Sequence, residues 1–341
     1  MWYTYTNCVV RDYNMEQFSQ LDSLIKGKKV LYITTKNLDY IRVSQEINYL
    51  SHLASHVEII GSKSSSYPKR LAFVFASLLK QSMKDIDIVF VGFAPQLVMP
   101  FFSWKFRTKT VIIDFFISVY DTMVLDRKKF KDGGFLSKFC HSLDESTLKK
   151  ADYIVCDTKA HGDFFADELG ACQEKLRVLY LQADASIYYP REKKPSASQK
   201  KVLYFGSILN LQGVDVILDA LKHFKDDTDI SFEIIGPVPS AMDKPIQNNI
   251  SYINWLSQQE LAEHIAQADL CLAGHFSGTI DKAKRTIPGK AYIYQAMGRP
   301  MILGDGPANH ELFTPDSSHI FVKMGDSTAL AEAIKDFFDY E

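Results

Sequence analysis

From Lys29 onward the chain repeats one pattern: a short run of β-branched and aromatic residues, then a longer segment with helical spacing of its apolar positions. Nearly every position of the short runs is apolar, as a parallel strand covered on both faces requires, and the helical segments supply the crossovers between strands. The runs at 29–34, 57–61, 87–92, 110–114, 153–156 and 176–180 fit one sheet, and those at 202–206, 231–236, 250–253, 270–273, 301–304 and 320–322 fit a second. A helix-like segment is expected in each gap. Between the two series, residues 190–200 mix Pro190 and Pro195 with charges and small polar residues, which disfavour helix and sheet alike. A length of 341 residues also exceeds what one hydrophobic core organises. The expectation is therefore an α/β chain with a first domain at 1–189, a linker at 190–200 and a second domain at 201–341. Residues before about Gly27 read as an arm on the first domain, and a last helix over 327–340 has the option of packing back on it.

Composition narrows the partners. Hydrophobic residues make up 46%, charged residues 23%, and the net charge is -2, so neither a disordered chain nor a polyanion binder is indicated, and no nucleic-acid partner is expected. No basic-then-apolar leader opens the sequence, and no apolar run approaches the roughly 18 residues of a membrane span. Five cysteines without metal-type spacing read as reduced thiols, and the reading is a cytoplasmic protein.

In open parallel sheets ligands bind beyond the carboxyl ends of the strands, so chemistry is sought in those loops. After the first strand of the second domain, Gly206, Ser207, Gln212 and Gly213 form a loop before a helix at 214–224. Gly206 admits an anion to the backbone amides, or the loop is a tight turn and nothing more. Residues 282–292 say more. Pro288 suits a helix's first turn, so a helix is expected from Pro288 to about Met297, with the amides of Gly289 and Lys290 at its start. Arg285 offers a fork for two phosphate oxygens and Lys290 a point charge, with Lys282 and Lys284 adding to the field. The competing reading is a solvated basic loop. Past the strand at 301–304, Gly306 offers a flexible backbone and Glu311 an acceptor for sugar hydroxyls, or a helix-surface acid. In the first domain Asp114, Ser118 and Asp121 follow a strand end, where a substrate hydroxyl would arrive; capping or surface roles are the alternative. Asp85 and Asp87, and likewise Asp227 and Asp229, precede strands and read as turn acids, so no metal site is expected.

At these loops the chain resembles the group 1, or family 4, retaining glycosyltransferases. The resemblance rests on Tyr204-Phe205-Gly206, Gln212-Gly213-Val214-Asp215, Ile234-Ile235-Gly236, Arg285-Thr286-Ile287-Pro288-Gly289-Lys290 and Ala296-Met297-Gly298-Arg299-Pro300. A further stretch, residues 114–122, looks like members that build bacterial surface polysaccharides. The resemblance implies a GT-B fold, two Rossmann-like parallel-sheet domains facing across a cleft. It also implies a nucleotide-sugar donor on the second domain, a glycan or lipid-linked oligosaccharide acceptor on the first, no cofactor and no metal. On this reading Gly206, Ser207, Gln212, Gly236, Trp255, Pro288, Gly289, Gly306 and Glu311 bind the donor. Arg285, Lys290, Asp114 and Asp121 are catalytic, and Asn37, Arg42 and Ser118 line the acceptor side. The family's usual Arg after the glycine and Lys before the next one fall at Ser207 and Gln212, and its glutamate pair falls at Arg285 and Ile293. Arg285 and Lys290 are accordingly assigned the diphosphate, as in a subset whose pattern runs Arg-x-Ile-Pro-x-Lys.

With no side-chain nucleophile identified, a same-face displacement is expected, in which a donor phosphate oxygen or Asp114 or Asp121 takes the acceptor proton. Residues 67–75 and 101–107 interleave aromatics with Lys and Arg, a pattern suited to a membrane headgroup boundary or to core helices with solvated edges. Peripheral contact with the inner face of the plasma membrane is thus part of the expectation. Rival readings are a catalytically silent partner subunit and a sugar-nucleotide epimerase or phosphorylase of the same architecture. A dinucleotide-dependent dehydrogenase is disfavoured, because the loop at 35–40 has no glycine to admit a pyrophosphate.

Overall fold

Each apolar run becomes a parallel strand in a computed structural model that describes residues 19–193 and 199–339. The chain divides into two units, Met1–Leu181 and Gln182–Glu341. In the first, the elements run α1 (Ser19–Ile25), β1 (Lys29–Asn37), α2 (Ile41–Leu53), β2 (His56–Ser62), α3 (Tyr67–Lys80), β3 (Ile88–Gly92), α4 (Met99–Phe106), β4 (Thr110–Asp114), α5 (Phe135–Lys149), β5 (Tyr153–Cys156), α6 (Lys159–Leu169) and β6 (Leu176–Val178). The sheet order is β2-β1-β3-β4-β5-β6. Right-handed crossovers then put α2 on one face and α3 to α6 on the other. The cores agree: Val43 and Leu50 of α2 pack with Val30 and Tyr32, while Val74, Leu78, Phe102, Phe106 and Leu148 pack with Leu31 and Ile33.

The second unit runs β7 (Lys200–Phe205), α7 (Val214–Leu221), β8 (Ile230–Ile235), β9 (Ile250–Ile253), α8 (Gln258–Ala266), β10 (Leu270–Gly274), α9 (Lys282–Arg285), α10 (Gly289–Ala296), β11 (Met301–Gly304), β12 (His319–Val322) and α11 (Ser327–Asp339). Its sheet order is β12-β11-β10-β7-β8-β9. The chain therefore builds outward from β7 in one direction and from β10 in the other, and the reversal lies between these two strands. In the first sheet the reversal lies between β1 and β3. Those are the topological switch points at which open sheets take ligands.

Two gaps differ from the expected helices. Residues 236–249 are irregular because Pro237, Pro239 and Pro245 cannot continue a helix, and residues 305–318 hold only a 3-10 turn at Asn309–Glu311 between Pro307 and Pro315. The α11 helix buries Leu330, Ile334 and Phe338 in the core that α7 shares, within its own unit. Of the expected linker, residues 194–198 lie outside the described residues, as does the arm at 1–18. The rest is tied to the second unit, where Arg191 pairs with Glu263 and Lys193 with Asp269.

Candidate functional site

In the second unit the carboxyl ends of β7 and β10 converge on one side chain. Lys290, in the first turn of α10, sends its ammonium to the switch point, where it is 6% exposed. A Cβ at Gly206 would lie 3.2 Å from Nζ, and one at Gly274 would lie 3.0 Å from it. A side chain at either position would crowd the ammonium, and one at Gly274 would also meet Oε1 of Gln212 at 2.6 Å. Gly206 also holds φ 148°, a backbone angle that side chains disfavour. Nζ donates to Oε1 of Gln212 and stands 4.7 Å above the ring of Tyr204. Both partners are uncharged, and burial pushes the Lys290 ammonium down to about 7. A buried cation with neutral neighbours is a site prepared for an anion.

Several expected donor residues border this point. Pro288 caps α10, and Gly289 is exposed at the helix start, where first-turn amides lack intrahelical acceptors. Arg285 is half-buried at the end of α9. Ser207 is exposed, and Gln212 precedes Gly213, the left-handed residue that opens α7. Gly236 follows β8, one strand further along the same edge. Trp255 follows β9 at the outer edge, 81% exposed and two strand spacings, roughly 10 Å, from β7. Gly306 is a packing glycine, since a Cβ there would meet Lys284 Cα at 3.2 Å. Glu311 is half-buried in the turn after β11, and Lys284 spends its charge on Asp281 at 3.0 Å.

Two residues escaped the sequence reading. The hydroxyl of Tyr204 is buried without a hydrogen-bond partner, 3.5 Å from the Cβ position of Gly206. His275, next after Gly274, sits at φ 57° and bonds through Nδ1 to the Thr286 carbonyl at 2.8 Å. A carbonyl only accepts, so Nδ1 carries the proton and the bond holds the backbone beside Arg285.

The first unit treats its expected residues differently. Asp114 is buried, and its two oxygens receive Arg42 Nε at 3.1 Å and Nη2 at 2.9 Å. Arg42 also donates to the Leu179 carbonyl. Burial and the nearby Asp114 push the Glu46 carboxyl well above its usual range, so it holds a proton and Asp114 faces Arg42 as the charge partner. Ser118 donates to Asp144 at 2.6 Å, and the same carboxylate receives the amides of Val119 and Tyr120. Asp121 is buried with its carboxylate 3.7 Å from Nε2 of His161, whose Nδ1 bonds Asp157. Asn37, half-buried, accepts from the amide of Asp39. Around it the carboxyl edge shows Tyr40, Phe93 and Phe116, linked ring to ring at 5.7 and 5.9 Å, with Lys36 over the first two. Phe93 and Ala94 both hold left-handed φ, 46° and 51°, a strained turn without glycine. Asp227 accepts from the amides of Asp229 and Ile230, and Asp87 from that of Lys29, as turn acids do. Among the described residues no group of three His, Cys, Asp or Glu side chains is placed to hold a metal ion.

Residues 199–339 match the sequence family described as glycosyl transferases group 1. The match spans most of the second unit and none of the first. No curated protein matches the sequence. Among solved structures, a sucrose-phosphate synthase from Thermosynechococcus elongatus is similar at 12% identity over 92% of this chain and 90% of its own, with a TM-score of 0.67. The catalytic domain of starch synthase IV from Arabidopsis thaliana, bound to ADP and acarbose, is similar at 11% identity over 92% of each chain, with a TM-score of 0.62. HepE of Anabaena in complex with UDP is similar at 13% identity over 91% and 90%, with a TM-score of 0.60. At such identities the likeness is one of fold, and the fold of this chain is GT-B, a parallel six-stranded sheet in each unit. In the second unit, position 212, where the resemblance implies a lysine, carries an amide that accepts from Lys290. A second ammonium there would repel the first.

Proposed function

We propose that the protein is a glycosyltransferase that takes a sugar from a nucleoside-diphosphate donor held by the group 1 domain. The observation that carries this reading is the Lys290 ammonium, buried at the switch point between two glycine strand ends and paired with neutral groups. In glycosyl transfer, negative charge gathers on the departing diphosphate while positive charge grows at the anomeric carbon. A fixed cation and amides aimed at the leaving group are therefore the largest stabilising contribution. Lys290, the start of α10 and Arg285 would supply it. Configuration would be retained in a same-face displacement without a metal ion, the acceptor proton passing to a donor phosphate oxygen. Asp121 is the first-unit carboxylate proposed to assist. Asp114, bonded through both oxygens to Arg42, is assigned to positioning instead.

The acceptor would be a glycan on a lipid carrier, used in bacterial surface polysaccharide synthesis at the cytoplasmic face of the membrane. Among the described residues no helix is long and apolar enough to cross a bilayer. Because HepE is described in complex with UDP, uridine donors are the first to test. Calorimetry with UDP-, GDP- and dTDP-sugars, followed by slow donor hydrolysis, should find one nucleotide that binds and is released from its sugar. Binding without release in any acceptor mixture would favour a silent partner subunit, and failure of every donor to bind would remove the reading.

Donor binding should also take up a proton. Lys290 titrates near 7 in the free fold, while a bound diphosphate requires the charged form. Affinity should then be flat below pH 7 and weaken by up to about tenfold per unit above it. Calorimetry in buffers of different ionisation enthalpy reads the proton directly, and an affinity that stays level up to pH 9 would contradict the assignment.

A further inference from the structure

The helices α3, α4 and α5 form one layer on the first sheet. Phe75 of α3 packs on Phe101 and Phe102 of α4 at 5.4 and 5.1 Å, and Lys105 of α4 caps the end of α3 through the carbonyl of Leu79. Val74, Phe102, Phe106 and Leu148 give all three helices a common inner face. Among the described residues nothing covers the outer face. Phe73, Phe101, Phe139, Trp104 and Phe135 are exposed there by 50% to 85%.

The charges around these rings are mostly basic. No acidic residue occurs between Glu58 and Asp85, where Lys63, Lys69, Arg70, Lys80 and Lys84 lie. None occurs between Asp87 and Asp114, where Lys105, Arg107 and Lys109 lie. Immediately before α5, Arg127, Lys128, Lys129 and Lys131 are exposed, flanked by Asp126 and Asp132. Arg70 is buried and holds the carbonyls of Thr35 and Ser64, so it belongs to the fold. Lys105 is likewise held by carbonyls of α3, and the other cations give this face a basic character in a chain whose net charge is -2.

We propose that this outer face of α3, α4 and α5 rests on an anionic lipid bilayer. Aromatic rings at the headgroup level, ringed by lysines that reach to phosphate, are what an interfacial surface needs. A protein partner fits less well, because interface cores are depleted in lysine and would bury these ammoniums. A second copy would set a basic face against a basic face. The starts of α3 and α5 stand at the carboxyl edge of the sheet, the edge that also carries Tyr40, Phe93 and Phe116, so a headgroup-linked sugar would meet that edge. This deepens the lipid-linked acceptor of the proposed function, but the bilayer contact itself does not depend on any donor.

The test uses the intact protein with vesicles. Co-sedimentation should be strong with phosphatidylglycerol-rich vesicles, weak with pure phosphatidylcholine, and reduced by salt. F101S/W104S/F135S and K128E/K129E/K131E should each lower partitioning by more than about tenfold. Circular dichroism should show both folded, and calorimetry should show unchanged nucleotide binding. A blue shift of tryptophan emission on anionic vesicles should be lost in Trp104→Phe. Vesicle binding absent in the unmodified protein, or unmoved by either triple variant, overturns the proposal. So does a dimer in sedimentation velocity that the same substitutions dissolve. Failure of donor binding with vesicle binding intact would overturn the donor reading alone.

Discussion

Lys290→Met is expected to lower glycosyl transfer by about 10²–10³-fold, the usual effect of deleting one preorganised donor at developing charge, while making the protein harder to melt. The two effects have one cause. Burial holds the ammonium near 7, whereas in an unfolded chain it titrates about three units higher, at an ordinary lysine value near 10.4. Between these values the unfolded state binds more protons, so this residue makes stability rise with pH and costs the fold a few kcal/mol at neutrality. Methionine keeps the aliphatic stem above the Tyr204 ring without the charge. It leaves Oε1 of Gln212 unpaired, a loss of about 1–3 kcal/mol that offsets part of the gain. The variant's advantage should therefore be largest at pH 7 and shrink towards pH 10, as the unmodified lysine sheds its proton in both states. Thermal melts at the two pH values check this. A variant that melts lower at pH 7 and keeps its turnover would show that the ammonium is paired by something other than a donor.

How far the sequence shows this arrangement depends on whether a property is local. Strands are legible because a run such as Val30 to Ile33 must be apolar on both faces to sit inside a parallel sheet, and the expected runs all pair in parallel, with burial least complete toward the sheet edges, as in β6 and β9. The start of α10 is legible because Pro288, Gly289 and Lys290 are consecutive, and each restricts the same turn. The partners of Lys290 are less so. Gln212 is 78 residues away, and only the crossing of β7 beside β10 brings it close. The strained turn at Phe93 and Ala94 carries no Gly or Asn to announce it, and its conformation is imposed by what surrounds it. The bare outer face of α3 is ambiguous in the same way. Val74 and Leu78 mark the buried stripe, but a helix with further aromatics reads identically whether another layer covers it or not.

The first unit offers the sharpest separation of a structural role from an acceptor-binding one. Arg42→Met should destabilise the protein by about 3–5 kcal/mol, because it leaves the Asp114 carboxylate buried without its cation. Adding Asp114→Leu should restore much of the loss, since an apolar pair of similar volume often replaces a buried ion pair at little cost. Glu46 then keeps its proton and its bond from Tyr32, and no unpaired charge is left at that position. Urea unfolding of the single and double variants measures the coupling. Were Arg42 instead an acceptor ligand, the single variant would unfold like the unmodified protein and raise the acceptor KM. The double variant would then recover nothing, since a missing contact to a sugar is not returned by removing the partner carboxylate. With its bonds directed inward, to Asp114, Glu46 and the Leu179 carbonyl, and the residue only 3% exposed, the stability result is the one its geometry requires.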